Sequence, residues 1–131
     1  MLIRALILLV IAVMLAGCGS DEPAGLEGFD TSTITVDERE RAVAGAESPS
    51  QRSQGLMGVT DLGSLDGMLF VFPVDSDGGF WMKNTLIPLD IGFFTADGGF
   101  VDSLTMAPCT EDPCPTYRPG GSYRYALEAP A

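Results

Sequence analysis

Met68-Leu69-Phe70-Val71-Phe72-Pro73, the turn-forming Asp75-Ser76-Asp77-Gly78-Gly79, and Phe80-Trp81-Met82-Lys83-Asn84-Thr85 decide the fold class. The first run is apolar throughout, five residues long and stopped by proline, which suits a strand buried on both sides better than a helix. Two aspartates, a serine and two glycines then form a strong turn signal, so Phe80 to Thr85 is expected as the antiparallel neighbour of the first run. Alternation places Phe80, Met82 and Asn84 on one face and Trp81, Lys83 and Thr85 on the other.

The same grammar extends in both directions. Upstream, Thr31-Ser32-Thr33-Ile34-Thr35-Val36 and Arg41-Ala42-Val43-Ala44 flank a charged turn and suggest a hairpin. Ser48-Pro49-Ser50-Gln51 carries a helix start: Ser48 as N-cap, Pro49 where its missing N–H costs nothing, and Gln51 reaching back. This predicts one short helix over about 49–57, with Gly58 available as a left-handed stop. Downstream, Leu89 to Phe94 and Phe100 to Leu104 flank Asp97-Gly98-Gly99 as a second hairpin, and Tyr123 to Glu128 alternates as a last strand. The expected fold class is mainly β: a single compact β-sandwich, jelly-roll-like or barrel domain with one short helix. Because Glu128-Ala129-Pro130-Ala131 follows that last pattern without a closing element, a truncated C-terminus and an unpaired sheet edge are expected.

The N-terminus carries an address. Met1 to Arg4 is a short basic start, Ala5 to Leu15 is unbroken apolar sequence, and Leu15-Ala16-Gly17-Cys18 closes it with small residues before a cysteine. A run of about 12 residues is short of the ~20 that a spanning helix needs, and an export signal fits better. Leu15-Ala16-Gly17-Cys18 resembles the bacterial lipobox, which makes Cys18 the expected lipid attachment point after cleavage. Two acyl chains on its sulfur and a third on the new amine would hold the protein on a membrane, where one chain binds only marginally. The expected organisation is a lipoprotein signal peptide over 1–17, an acidic flexible tether over 18–30, and a β-rich domain over 31–131. The expected location is extracytoplasmic, on a lipid anchor, on the periplasmic or outer surface side.

Composition narrows the chemistry. The 131 residues include 7 Lys plus Arg against 18 Asp plus Glu, no His and 3 Cys, for a net charge of −11. A chain this acidic is not expected to bind nucleic acid, which needs clustered Lys and Arg. Without histidine, Ser-His-Asp and Cys-His catalysis, the common zinc sites and histidine pH switching are excluded within this chain. No cofactor and no resident metal are expected. Asp75-Ser76-Asp77-Gly78 imitates the start of a calcium loop and lacks its closing glutamate.

Gln54-Gly55-Leu56-Met57, Gly67-Met68-Leu69-Phe70, Phe80 to Thr85, Pro88-Leu89-Asp90-Ile91 and Cys109-Thr110-Glu111-Asp112-Pro113-Cys114-Pro115 together resemble the family called domain of unknown function 192. The resemblance covers about residues 33–131, and its Trp-Met-Lys-Asn-Thr block is specific. It implies a small, mostly β domain of sandwich or jelly-roll type, commonly exported, without an established activity. Arg52 matches the family's helix arginine. Val59 stands where such proteins often have arginine, and the usual glycine-containing end beyond the last strand is absent.

Three constellations could carry chemistry. Lys83, the one lysine, precedes Asp90 by seven residues, and strand pairing could join them as a structural pair, a recognition site or a catalytic acid–base pair. Arg52, Trp81, Lys83, Asn84, Thr85 and Asp90 form the candidate ligand-binding patch, an aromatic platform beside polar groups of the kind that sugars fit. The plainer reading makes Trp81, Phe80, Phe93 and Phe94 core. Cys109 and Cys114 have no further soft ligand beside them in sequence and, in an oxidising compartment, are expected as a structural disulfide. Their reduced thiols with Met57, Met68, Met82 or Met106 would instead suit Cu(I). The expected function is a lipid-anchored binding or accessory domain at the cell envelope. Its partners would be the membrane, through Cys18, and a small polar ligand or an envelope protein. The alternatives are a small enzyme on an envelope or carbohydrate substrate, using Lys83 and Asp90, and a Cu(I)-handling protein.

Overall fold

The computed structural model describes residues 22–131. The export signal, Cys18 and the first residues of the expected tether lie outside the described residues. The elements in chain order are β1 (Thr31–Val36), β2 (Arg39–Ala46), α1 (Pro49–Gln54), β3 (Gly67–Ser76), β4 (Phe80–Trp81), β5 (Leu89–Phe94), β6 (Phe100–Met106), β7 (Thr116–Tyr117) and β8 (Tyr123–Pro130). Six of them form one sheet in the order β1-β2-β3-β8-β5-β6, and β4 pairs with β7 as a separate ribbon. Only β2 and β3 run parallel, joined by the crossover that contains α1. The other sheet neighbours are antiparallel.

The first and last of the expected hairpins form, as β1–β2 and β5–β6. The β1–β2 turn places Asp37 and Glu38 at φ of 50° and 61°, the double left-handed geometry that matches the twist of a two-residue hairpin. α1 begins with the expected capping box, Ser48 accepting from the Gln51 N–H while the Gln51 side chain accepts from the Ser48 N–H. It ends at Gly55 rather than Gly58, because Gly55 already turns to φ 48°.

β3, expected to be buried on both sides, is enclosed on one face only: Met68 and Phe70 are buried there, while Leu69 and Val71 on the other face are half-buried. It continues past Pro73 because its pairing with β8 shifts register between Val71 and Ser76, and a bulged stretch makes no demand on a proline N–H. Its antiparallel partner is β8, not Phe80 to Thr85. Only Phe80 and Trp81 of that block are strand, paired to Tyr117 and Thr116. The alternation then breaks at Asn84, whose φ of 56° turns Thr85 inward, so Met82 and Thr85 are buried while Asn84 is exposed.

One sheet face is fully covered. Ala44, Ala46, Met68, Phe70, Leu89, Ile91, Phe93, Met106 and Ala126 lie beneath α1, the loops around it and the β4–β7 ribbon. The mainly β domain with one short helix is as expected, and no closed barrel forms, β1 and β6 being the two edges of the sheet. Two expectations are corrected. From Glu22 on, the segment expected as a flexible tether is packed: Leu26 and Phe29, its two large apolar residues, are 2% and 5% exposed in the main core, a burial that offsets the cost of ordering the chain around them. The unpaired edge expected from a truncated C-terminus is not found at the last strand: β8 is internal, with β3 on one side and β5 on the other.

That internal position leaves no room beside Gly67. A Cβ there would overlap the carbonyl oxygen of Glu128. Gly67→Ala should therefore destabilise the protein by at least about 3 kcal/mol. Gly120→Ala, whose Cβ would meet nothing nearer than the Asp102 carboxylate at 3.6 Å, should change stability by less than about 0.5 kcal/mol. Denaturant melts of the two variants beside the parent check both.

Candidate functional site

Between α1 and the covered sheet face lies a cavity of about 400 Å³. Its floor is sheet: Phe70 from β3, and Tyr123 and Glu128 from β8. Its walls are Phe72, Phe80, Trp81 and Thr85, and α1 with Gly55, Leu56 and Met57 closes the side. The rings interlock edge-to-face, with Phe70–Phe80 centroids at 5.1 Å, Phe72–Tyr123 at 5.3 Å and Phe93–Tyr123 at 4.8 Å. Such contacts stiffen a wall as well as filling it. Tyr123 donates its hydroxyl to the Gly78 carbonyl at 2.8 Å, and burial pushes its phenol pKa up.

Glu128 is the unusual residue. Its strand neighbours are Met68 on β3 and Ile91 on β5, both fully enclosed, and it is itself 4% exposed. No hydrogen bond or salt bridge to it forms among the described residues, and burial alone pushes its carboxyl pKa up to about 8. No enclosed side-chain oxygen in the described residues lacks a partner, so the carboxyl group meets the cavity that it lines. Near neutrality it holds its proton.

Arg52 stands at the α1 side of the same cavity. Its Nη1 donates to the backbone carbonyls of Glu47 and Val71, the latter at 3.1 Å, and its guanidinium lies 5.1 Å from the Phe72 ring centroid. Of the candidate patch, Arg52, Trp81 and Thr85 line the cavity; Lys83, Asn84 and Asp90 do not. Trp81 is 50% exposed, so the core reading of it does not hold, whereas Phe93 is enclosed and Phe80 packs against the core. Phe94 faces the other side of the sheet, against Phe100.

Lys83 and Asp90 are not paired. Lys83 bonds Asp112 at 3.2 Å and lies 5.3 Å from the Trp81 ring centroid, whereas Asp90 accepts from the Thr105 hydroxyl at 2.7 Å. The separation follows from the fold: Asp90 alternates with Leu89 and Ile91 and points away from the covered face, so seven residues of spacing put the two on different surfaces. Asn84 works through its backbone, its N–H donating to the Cys109 carbonyl at 2.8 Å and its own carbonyl accepting from Gly58 at 2.9 Å. Cys109 and Cys114 form the expected disulfide, with Cα atoms 5.9 Å apart. With each sulfur bonded to the other, neither is a thiolate for Cu(I).

Residues 32–131 match the domain of unknown function 192 family, described as Uncharacterized ACR. The chain belongs to that family. Among solved structures, a Sinorhizobium meliloti 1021 protein described as a candidate transcription regulator is 32% identical with a TM-score of 0.68, over 79% of this chain and 82% of that one. A Novosphingobium aromaticivorans DSM 12444 protein of unknown function is 27% identical with a TM-score of 0.65, over 79% and 74%. No curated protein matches.

Glu128, Phe72 and Tyr123 were not among the expected site residues. For Glu128 the signal was in its parity: it sits two residues from Ala126 on one face of an apolar strand. Its raised pKa has a signed consequence. The folded protein holds a proton that the unfolded chain releases near the ordinary value of 4.5, so this contribution to stability is complete below that pH and is lost as pH rises to about 8. Each pH unit in that window removes up to about 1.4 kcal/mol. Glu128→Gln should flatten this slope in denaturant melts taken between pH 5 and pH 9 and leave the protein more stable than the parent at the upper end.

Proposed function

We propose that this protein is a lipid-anchored, extracytoplasmic binding domain that takes a small polar ligand into the cavity between α1 and β8. The observation that carries the reading is the cavity: an aromatic wall with one guanidinium beside it and one enclosed acid at its floor. Pockets for small molecules combine apolar and aromatic surface with polar groups that fix orientation, and this cavity offers both. Arg52, Trp81 and Thr85 are the binding residues from the candidate patch, joined by Glu128, Phe72, Phe80 and Tyr123.

The anchor is supported by Leu15-Ala16-Gly17-Cys18 after an apolar run, and the disulfide suits an oxidising compartment. The enzyme alternative that uses Lys83 and Asp90 is not favoured, since Lys83 is ion-paired to Asp112 and Asp90 is bonded to Thr105. Nor is regulation of transcription carried over from the Sinorhizobium protein, because a net charge of −11 opposes contact with phosphate backbones.

Two experiments test the two halves. In cells, Cys18→Ala should move the protein from the membrane fraction to the soluble fraction, and continued sedimentation with membranes would remove the anchor. Thermal-shift measurements on the full-length protein against envelope glycans, amino compounds and carboxylates should find a class that raises Tm. A ligand at ~100 times its Kd adds about 2.7 kcal/mol, a shift of several degrees. Trp81→Ala, which truncates a half-exposed side chain, should abolish the shift while leaving the unliganded Tm within a few degrees of the parent. A parent that responds to none of these compounds sinks the binding reading.

A further inference from the structure

We propose that the cavity is built for a zwitterion, with an ammonium group seated against Glu128 and a carboxylate held by Arg52, so that its ligand is a free amino acid or an N-methylated relative. The inference rests on the binding reading above and names the ligand class.

The donor and acceptor inventory carries it. A guanidinium has five N–H donors, and Nη1 of Arg52 spends its two on the Glu47 and Val71 carbonyls. Nε and Nη2 have no partner among the described residues, and together they form the fork that matches a carboxylate. The two carbonyls and the Phe72 ring hold the guanidinium plane in place, which lowers the ordering cost on binding. Ionised Glu128 is purely an acceptor, and among the described residues it has no cation of its own. An ammonium group would supply both the charge and the donors, in a box whose aromatic rings also attract cations.

Single-charge ligands fit worse. A lone amine would leave Arg52 facing a second cation, and a lone carboxylate would leave Glu128 a protonated bystander. A neutral sugar would desolvate both groups and neutralise neither. The charged and titratable groups that face the cavity are Arg52 from α1 and Tyr123 and Glu128 from β8; the β3 and β5 neighbours of Glu128 are apolar. Tyr123 stays a neutral phenol because burial raises its pKa. The proton that moves is therefore that of Glu128: the protonated carboxyl and the ligand's ammonium give a carboxylate–ammonium pair and one proton released to solvent.

Isothermal titration calorimetry on the full-length protein in detergent, at pH 7 in buffers of different ionisation enthalpy, tests this with the twenty protein amino acids and glycine betaine. Phenethylamine, 3-phenylpropionate and glucose serve as amine-only, acid-only and neutral probes. At least one zwitterion should bind, at least tenfold tighter than the single-charge probes, with release approaching one proton per ligand. Glu128→Gln should fold, because it mimics the protonated acid, and should lose both the proton release and at least tenfold in affinity. Arg52→Lys keeps the charge without the fork and should lose at least tenfold for the zwitterion while leaving amine binding unchanged. Equal binding of an amine or an acid alone, or zwitterion binding without proton release, overturns the inference. Binding of glucose alone, sensitive to Trp81→Ala, also overturns it and leaves the binding domain standing; no binding by any probe removes both.

Discussion

β8 is the element on which the sheet depends. Without it, β1-β2-β3 and β5-β6 would be two separate pieces, for β8 alone is hydrogen-bonded to both. Such a strand has no solvent edge, and its inward residues lie between two other strands' inward residues. Gly67 is required on the β3 side, where a side chain would run into the β8 backbone. Glu128 on that strand is then flanked by Met68 and Ile91 and cannot reach solvent except through the cavity. The site is thus a consequence of the strand order.

The Trp-Met-Lys-Asn-Thr block serves that order twice. Met82 is core, and the left-handed turn at Asn84 holds three segments together through its backbone: the disulfide loop through Cys109, the turn after α1 through Gly58, and the block itself. Those bonds leave Trp81 half-exposed on the cavity wall and Lys83 bridged to Asp112 on the disulfide loop. A motif so specific in sequence is therefore a joint, and only its Trp81 and Thr85 touch the cavity. The disulfide closes a loop of about six residues, for which loop entropy gives ~2 kcal/mol, and it steadies the segment that carries Asp112 and β7.

Local chemistry was legible where it was local. The capping box at Ser48, the β1–β2 and β5–β6 hairpins, the β3 strand and the Cys109–Cys114 pair depend on residues close in the chain, and each formed from them. Strand order was not legible, because periodicity gives faces and says nothing about neighbours: β3 was matched to Phe80–Thr85 by proximity, and its partner is β8. The same blindness placed Lys83 beside Asp90 and hid Glu128, whose meaning comes from Met68 and Ile91 across the sheet. Leu26 and Phe29 were missed for a different reason. Two apolar residues in an acidic, glycine-containing stretch show no period, and their burial is a matter of where the chain passes.

A largely buried acid that faces only a cavity and has no protein partner is a cost to the folded state at any pH where it ionises. An apolar side chain of similar volume between Met68 and Ile91 would remove that cost, and most of the face already consists of such residues. Positions where a protein carries a stability cost with no structural return are where function is best sought. Arg52 answers the same description in a milder form: two carbonyls and a ring hold it in place, yet three of its donors point at no partner in the described chain. Two groups of opposite charge, each incomplete and both lining one aromatic cavity, are complementary to a single molecule that carries both charges. That pairing ties the acid and the guanidinium to one cause, where the core, the disulfide and the turn at Asn84 account for neither.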